Sequence, residues 1–323
     1  MKAIQIRSHG GLEVLQSATL PDPTPKAGEV LVRVKAAALN PLDGVVRMGR
    51  FPIAAKPPLI LGEEASGLIE RDGMGFKAGE KVIVYGGGLG VFRDGTWADL
   101  VAVPATSVRK LPEGISFEEG AALSHVGVVA YGVLRHGELK AGETLLVLGA
   151  TGGVGSAAIQ LGKALGASVI AVVSKPESAS EVRGLGADHV VVLSDGPLAE
   201  AVQKLTDGKG ANLVLDPVGG EFTGQAFSVV SKFGRLVHLG GGGGTTLTIH
   251  SPDLVRNAST ILGFNVFLQT PERLGKDHDE VVALAAAKKY RAFVGKTFPA
   301  AEVAEATRHL ESHKSAGKVV LTF

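Results

Sequence analysis

Residues 145–155 read LLVLGATGGVG and run directly into SAAIQLGKALGA. An apolar strand, a turn of small residues and an amphipathic helix, with A-x-G-x-x-G at Ala150, Gly152 and Gly155, form a variant of the glycine loop that holds a dinucleotide pyrophosphate. Small residues let the backbone approach the phosphates, and the unpaired N–H groups and positive dipole end of the helix stabilise their charge. Ala150, Thr151, Gly152, Gly153 and Val154 are the expected contacts, and Gly155 lets the helix lie close to the strand. About 20 residues on, where an NAD enzyme carries Asp or Glu for the ribose 2′-hydroxyl, the chain has VVSKPE. Ser174 and Lys175 suit a 2′-phosphate, which points to NADPH over NADH; Glu177 lies close by, and a solvated turn is the plain alternative.

Elsewhere the chemistry-bearing residues are sparse. Cysteine is absent from all 323 residues, which excludes disulfides, thiolate-held zinc, iron–sulfur clusters and a cysteine nucleophile. Neither G-x-S-x-G nor H-E-x-x-H occurs, so hydrolase and metalloprotease readings lack their signatures. Glu63 and Glu64 are adjacent, and neighbours on a strand point to opposite faces, which favours a structural Glu64 over paired-carboxylate chemistry. His309 and His313 fall one helical turn apart, but Glu305, Arg308, Glu311 and Lys314 around them mark a solvated face rather than a metal site.

The elements that must position these residues fall into two textures. Up to about Pro112, short runs at Glu29–Ala38, Ala65–Glu70, Lys81–Tyr85 and Ala98–Val103, punctuated by Gly and Pro, predict a strand-rich, mostly antiparallel module. Beyond it, predicted strands at Thr144–Gly149, Ala167–Val173, His189–Leu193, Leu213–Asp216, Leu236–Gly240 and Thr260–Phe264 alternate with helices at Gly153–Leu165, Ser178–Leu185 and Leu198–Leu205. That alternation predicts a doubly wound parallel sheet, so the fold class is α/β. Helices at Asp279–Lys289 and Ala301–Ser312 and a strand in GKVVLTF close the chain; periodicity leaves open which sheet that last strand joins.

Composition narrows the class of function. Lys+Arg 33 against Asp+Glu 32 gives a net charge of +1, too little to neutralise a nucleic-acid backbone. Hydrophobic residues at 45% and charged residues at 20% describe a folded globule of about two domains. No apolar run of about 18 residues and no signal-peptide h-region occur, so neither a membrane span nor export is expected and the expectation is a cytoplasmic protein. The 45 glycines are roughly twice the average usage of about 7% and follow no collagen period, so they serve turns and close backbone approaches.

Taken in order, Met1–Leu15 (MKA…GG-x-E-V-L), N-x-x-D at Asn40–Asp43, G-x-E-x-x-G at Gly62–Gly67, A-x-G-G-V-G at Ala150–Gly155, LGAD at Leu185–Asp188, D-x-V-G-G at Asp216–Gly220 and GKVVL at Gly317–Leu321 resemble the medium-chain dehydrogenase/reductase superfamily. The likeness spans the whole chain and is to the zinc-free quinone oxidoreductase branch that includes zeta-crystallin. It implies a GroES-like catalytic domain (1–122), a Rossmann NADP-binding domain (123–266), a C-terminal segment (267–323) returning to the catalytic domain, an active site in the cleft, and a homodimer. In the zinc-dependent relatives Cys, His and Cys hold the metal; here Asn40, Glu63 and His125 fall at or near those places, a poor zinc set.

A metal-free site would pass hydride to an acceptor already activated by conjugation, a quinone or an α,β-unsaturated carbonyl. Asn40 is then the amide that positions the carbonyl, or merely an Asn-Pro turn initiator, and Asp43 orients it. Relatives carry two tyrosines where this chain has Val45 and Phe51, and a lysine and a tyrosine near the adenosine where it has Ser178 or Ala179 and Leu193. Arg47 reads as a solvated arginine or as an anion contact. Tyr131, beside the cofactor or in the core, Gly240 at the head of the run Gly240–Gly244, the trio Phe264, Asn265 and Val266, and Lys318 complete the expected cofactor contacts; the later glycines of the run read as a flexible loop. NADPH:quinone reduction without metal is the leading function, with an NADPH-dependent 2-alkenal or enoyl-thioester double-bond reductase and a nucleotide-binding protein of little turnover as alternatives.

Overall fold

The structure is a computed structural model that describes residues 1–312 and 316–323, and it divides into two compact units. Residues 1–125 with 292–323 make the first and residues 126–291 the second. The C-terminal return expected from residue 267 thus begins at 292, because the helix Pro271–Ala286 belongs to the second unit.

In the first unit the strand Glu29–Ala38 is the hub. Val30–Val32 and its last three alanines are buried in unbroken runs, and it pairs on both edges: antiparallel with Glu64–Ile69, with Leu100–Pro104 and with the closing strand Lys318–Thr322. The last pairing, Val320 opposite Ala38 and Thr322 opposite Ala36, places the chain's final strand in this unit. Lys81–Tyr85 and Val108–Lys110 extend the sheet on one side and Val294–Pro299 on the other. A smaller sheet sets Lys2–Ile6 between Gln16–Thr19 and Leu59–Ile60. Ile6, Val32, Ile60, Val84, Trp97 and Leu321 are among the side chains of the buried core. Directly after the hub strand, Asn40 caps the short helix Pro41–Arg47, whose proline suits a first helical turn.

The second unit is a six-stranded parallel sheet. In space the strands run His189–Val192, Ser168–Val173, Thr144–Val147, Ala211–Asp216, Val230–His238 and Thr260–Gly263, the chain order 3-2-1-4-5-6 of the doubly wound plan. Helices Gly153–Ala164, Ala179–Gly184, Leu198–Leu205, Glu221–Phe227 and Ser251–Asn257 alternate with them. The fifth strand starts six residues before the expected Leu236: Ser231–Arg235 interrupts the apolar pattern, and Phe233, at φ +58° and exposed, marks the irregular pairing. The helix expected from Asp279 begins at Pro271, because the Thr270 side chain accepts from Arg273 N and caps a polar first half that carries no apolar period. A 20-residue helix, Phe117–His136, runs through the boundary between the units. Among the described residues no helix is long and apolar enough to cross a membrane.

Candidate active site

The glycine loop opens at the carboxyl end of the strand Thr144–Val147, the central strand at which the order reverses. Gly149 turns the chain with φ +57°, a conformation that favours glycine. Gly152 caps the helix Gly153–Ala164 and is exposed, whereas Gly155 is buried and a Cβ there would lie 2.8 Å from Ala150 Cα. The two glycines therefore do different work: Gly155 lets helix and strand touch, and Gly152 keeps the loop's outer surface free of side chain above the first-turn N–H groups. Ser174 and Lys175 lie exposed just past the neighbouring strand Ser168–Val173. These residues fit a nicotinamide dinucleotide: Ala150–Val154 would hold its pyrophosphate and Ser174 with Lys175 its adenosine ribose.

Asp216 organises the other loops of this unit. It is fully buried and accepts from Val218 N and Gly219 N at 2.9 Å and from Thr223 Oγ1 at 2.5 Å, with His238 Nδ1 at 3.0 Å. The segment it fixes, Pro217–Gly220, lies backbone to backbone against the glycine run. Gly243 N donates to Val218 O at 2.7 Å, and a Cβ on Gly240 would lie 2.8 Å from Pro217 O. Parts of the run are thus seated by close main-chain approach, while Gly242 meets nothing within 4 Å. Phe264 is buried with its ring 5.8 Å from that of His136, the Asn265 side chain accepts from Phe267 N, and Val266 opens the short turn that follows. Tyr131 is half-buried on the long helix, and burial together with Glu280 and Asp277 raises its phenol above the ordinary value.

In the first unit Asn40, Asp43 and Lys318 converge with three residues that the spacing did not connect to them. Asp43 Oδ2 accepts from Asn40 N at 2.7 Å and Oδ1 from Gly62 N at 3.1 Å. Lys318 Nζ is within 2.9 Å of Leu39 O, 2.5 Å of Asn40 Oδ1 and 2.9 Å of Glu64 Oε1. Asn40 Nδ2 donates to Glu64 Oε1 at 3.3 Å, and His125 N donates to Glu64 Oε2 at 2.7 Å. Glu63 Oε2 stands 3.5 Å from His125 Nδ1 without hydrogen-bond geometry, and the edge of Tyr85 faces the His125 ring at 5.5 Å. Lys318, expected to reach the cofactor, has its ammonium committed to this cluster.

The expectation that Glu63 and Glu64 point apart fails because only Glu64 lies in the strand. Gly62, at φ +95° under Trp97 and Thr96, bends the chain just before it, and both carboxyls are buried. Three carboxyls then share one ammonium out of water. Burial raises Asp43 to about 7, against the pull of its two N–H donors and Lys318. Burial, with the charges of Asp43 and Glu64, pushes Glu63 well above the ordinary carboxylate range. Burial lowers His125 to about 4, so its imidazole is neutral at physiological pH. The family resemblance grouped Asn40, Glu63 and His125, but not Glu64 or Lys318, whose partners lie up to 278 positions apart.

Two further expectations change. Arg47 is buried rather than solvated, donating to Gly10 O and to Glu311 Oε1 at 2.7 Å each. Of the histidine pair, His309 packs its ring 5.7 Å from that of Phe298, and His313 lies outside the described residues. Among the described residues no three His, Asp or Glu side chains are arranged to hold a metal ion. Asn40, Glu63 and His125 offer one amide, one carboxyl and one imidazole beside an ammonium, a donor set that does not fit zinc.

Residues 26–113 match the family model described as alcohol dehydrogenase GroES-like domain, and residues 153–284 the one described as zinc-binding dehydrogenase. The chain is 34% identical to a quinone oxidoreductase of Pseudomonas aeruginosa over 99% of both chains, and 29% identical to human quinone oxidoreductase over 99% of this chain and 97% of that one. A solved NAD-dependent alcohol dehydrogenase superposes with a TM-score of 0.91 at 31% identity, covering 100% of each chain. With a glycine loop in a doubly wound unit, a GroES-like unit and a polar cluster unsuited to zinc, the chain belongs to the medium-chain dehydrogenase/reductase superfamily, as a zinc-free, quinone oxidoreductase-like member and an NAD(P)-dependent oxidoreductase.

Proposed function

We propose that this oxidoreductase reduces quinones with NADPH, without a metal. The observation that carries the reading is the cluster around Asn40: where a zinc enzyme needs three donors for its metal, this chain sets protonatable carboxyls and a neutral imidazole around a lysine. Such a site suits an acceptor activated by its own conjugation. NADPH when bound supplies the hydride. Ala150–Val154 bind its pyrophosphate, and Ser174 with Lys175 prefer its 2′-phosphate, no carboxylate standing at the tip of that strand. Gly240, Tyr131 and Phe264–Val266 border the nicotinamide half.

Asn40 positions the acceptor's carbonyl. Its Oδ1 is held by Lys318 and one amide hydrogen by Glu64, so the amide is fixed in orientation with one hydrogen left to donate. Asp43 fixes Asn40's backbone and that of Gly62, and so orients both sides of the cluster. A second reading, reduction of the double bond of a 2-alkenal or enoyl thioester, is favoured by one observation: Val45 and Phe51 offer no phenol to a quinone, while Glu63 offers an acid to an enolate.

The protein acts as a homodimer through the second unit. Its edge strand Thr260–Gly263 ends the parallel sheet, and Val255 and Leu268 nearby are exposed. Light scattering is expected to give twice the 33.1 kDa chain mass and Val255→Lys to give the monomer; a monomeric wild type refutes the assembly. The test of activity is one panel of NADPH and NADH oxidation with quinones, 2-alkenals and enoyl thioesters, with and without chelator. Expected are NADPH preference, reversed or abolished in Lys175→Ala, and full activity in chelator. Preference for NADH, loss on chelation, or binding of NADPH without turnover of any acceptor each overturns its part of the reading.

A further inference from the structure

We propose that the Glu63 carboxyl is the hydrogen-bond and proton donor to the carbonyl oxygen of the hydride acceptor, with His125 as its positioning partner. This inference rests on the hydride-transfer reading above and names the residue that completes it.

Partner accounting across the cluster singles out Glu63. Both oxygens of Asp43 accept backbone N–H groups, and both oxygens of Glu64 are engaged, one by Lys318 and Asn40 and the other by His125 N. Glu63 Oε1 is buried with no partner, and so is His125 Nδ1. These two orphaned groups belong to side chains that face each other at 3.5 Å. A buried polar atom left without a partner costs about 1–3 kcal/mol, so two on facing side chains mark a place completed by a ligand atom. The side chains keep 7% and 13% exposure, while Glu63 Oε1 and His125 Nδ1 themselves are buried.

The surrounding charges select the ligand. Asp43 and Glu64 disfavour an anion, and among the described residues the cation that faces them, Lys318, is spent on three oxygens. Burial, with those two carboxyls, keeps the proton on Glu63, and Tyr85 presents its ring edge to His125. A neutral carbonyl oxygen fits: it accepts the O–H of Glu63 in the ground state and takes the proton as negative charge develops on it. A carboxylic acid kept neutral by its surroundings to donate in this way has precedent in steroid isomerisation. For an enone, a bound dihydronicotinamide would supply hydride to the β-carbon; the alkene pair would form the enolate's carbon–carbon double bond as the carbonyl π pair moves to oxygen, and that oxygen would take the proton of Glu63. The enol tautomerises to the saturated carbonyl, and Glu63 regains a proton from water. For a quinone the same transfer neutralises one hydroquinone oxygen.

The test uses the full chain with NADP⁺ and a saturated cyclic ketone, which binds as a carbonyl but offers no conjugated acceptor. Difference infrared spectra at neutral pH, wild type minus Glu63→Gln so that the Asp43 acid cancels, are expected to show a protonated carboxylic acid band that shifts to lower frequency when the ketone is added. With an enone or quinone, Glu63→Gln is expected to lower kcat by about 10²-fold or more, to leave the nucleotide Kd within about twofold, and to lose the alkaline limb of the wild-type kcat profile. Glu63→Asp, which keeps an acid one methylene short, is expected to retain the band and part of the rate. A missing band, a band unmoved by ketone, or a Glu63→Gln enzyme with wild-type kcat and pH profile overturns the proposal. If the wild type reduces no acceptor, it is the hydride-transfer reading that fails, and the infrared arm still decides whether Glu63 holds the ketone oxygen.

Discussion

Asp216 and Glu63 are both buried carboxyls, one in each unit, and their surroundings are built in opposite ways. Asp216 is saturated: two backbone N–H groups, a threonine hydroxyl and a histidine ring nitrogen meet it, and no other carboxyl figures among those contacts. It holds the loop Pro217–Gly220 in place, and around it the chain uses glycine and backbone. Glu63 stands in a group of three carboxyls with a single ammonium, and one of its oxygens has no partner at all. A saturated buried charge builds a scaffold; a crowded, under-partnered one stores a proton and invites a ligand. The second unit thus presents a site made largely of main chain, and the first a site made of titratable side chains.

The sharpest way to break the main-chain side of this contrast is Gly152→Val. Its Cβ would lie in tight contact, 3.3 Å from Gly149 O, which must yield by a few tenths of an ångström, and the branched methyls cover the first-turn N–H groups. Nucleotide binding is expected to vanish by calorimetry while circular dichroism stays that of the wild type. On the side-chain side the largest effect is expected from Lys318→Met, which leaves Glu64 and its neighbours buried without a cation. Urea unfolding at pH 8 should show a loss of about 3–5 kcal/mol, and a smaller loss at pH 5, where Asp43 is protonated. Asp216→Asn is expected to cost about 1–3 kcal/mol, because an amide cannot accept from every donor now aimed at it. Glu63→Gln removes a carboxyl that burial pushes above its ordinary range and that has no donor to lose at Oε1, so it should hold or raise stability at neutral pH, and equal losses at the two positions would erase the distinction.

The smallest effect is one of pH. Unfolded, His125 titrates near 6.5; folded, near 4. The unfolded chain therefore binds the extra proton between those values, and the stability this histidine contributes is full above about 6.5 and lost as pH falls through 4. Asp43 works the other way: raised from 3.8 to about 7, it contributes stability that is full below 3.8 and lost as pH rises through 7. Between pH 4 and 6.5 the two offset each other. His125→Asn removes the first, so its stability relative to wild type should fall steadily as pH rises across that window and stay level above it, measured by urea unfolding at each pH.

Much of the fold was legible from local patterns. Every strand of the parallel sheet was found from its apolar run, and the glycine loop from the small residues that lead from a strand into a helix at Gly149–Gly155, because both signals are written within a dozen neighbouring positions. Elements with weak apolar contrast were misplaced: Val230–His238 began unseen under Lys232–Arg235, and the first turns of Pro271–Ala286 under charged residues. Asn40 and Asp43 were identified, and the resemblance set Glu63 and His125 beside Asn40 as a poor zinc set, but Glu64 and Lys318 were not joined to them. What their amide and carboxyl touch depends on Glu64, 24 positions away from Asn40, on His125, 61 positions from Glu64, and on Lys318, 278 from Asn40. Arg47 looked solvated for the same reason, its partners being Gly10 and Glu311.

By itself, then, the sequence determined the α/β class, the phosphate loop and the lack of any cysteine to hold a metal, since these follow from residue type and short-range period. Only the tertiary structure decided that the last strand closes the first sheet, that parts of the glycine run are seated against Pro217–Gly220, and that three carboxyls, a lysine and a histidine share one buried place. Register and long-range burial set those contacts, and with them which carboxyl keeps its proton, because a group's charge state follows from the solvent and neighbours it is given and not from its place in the chain.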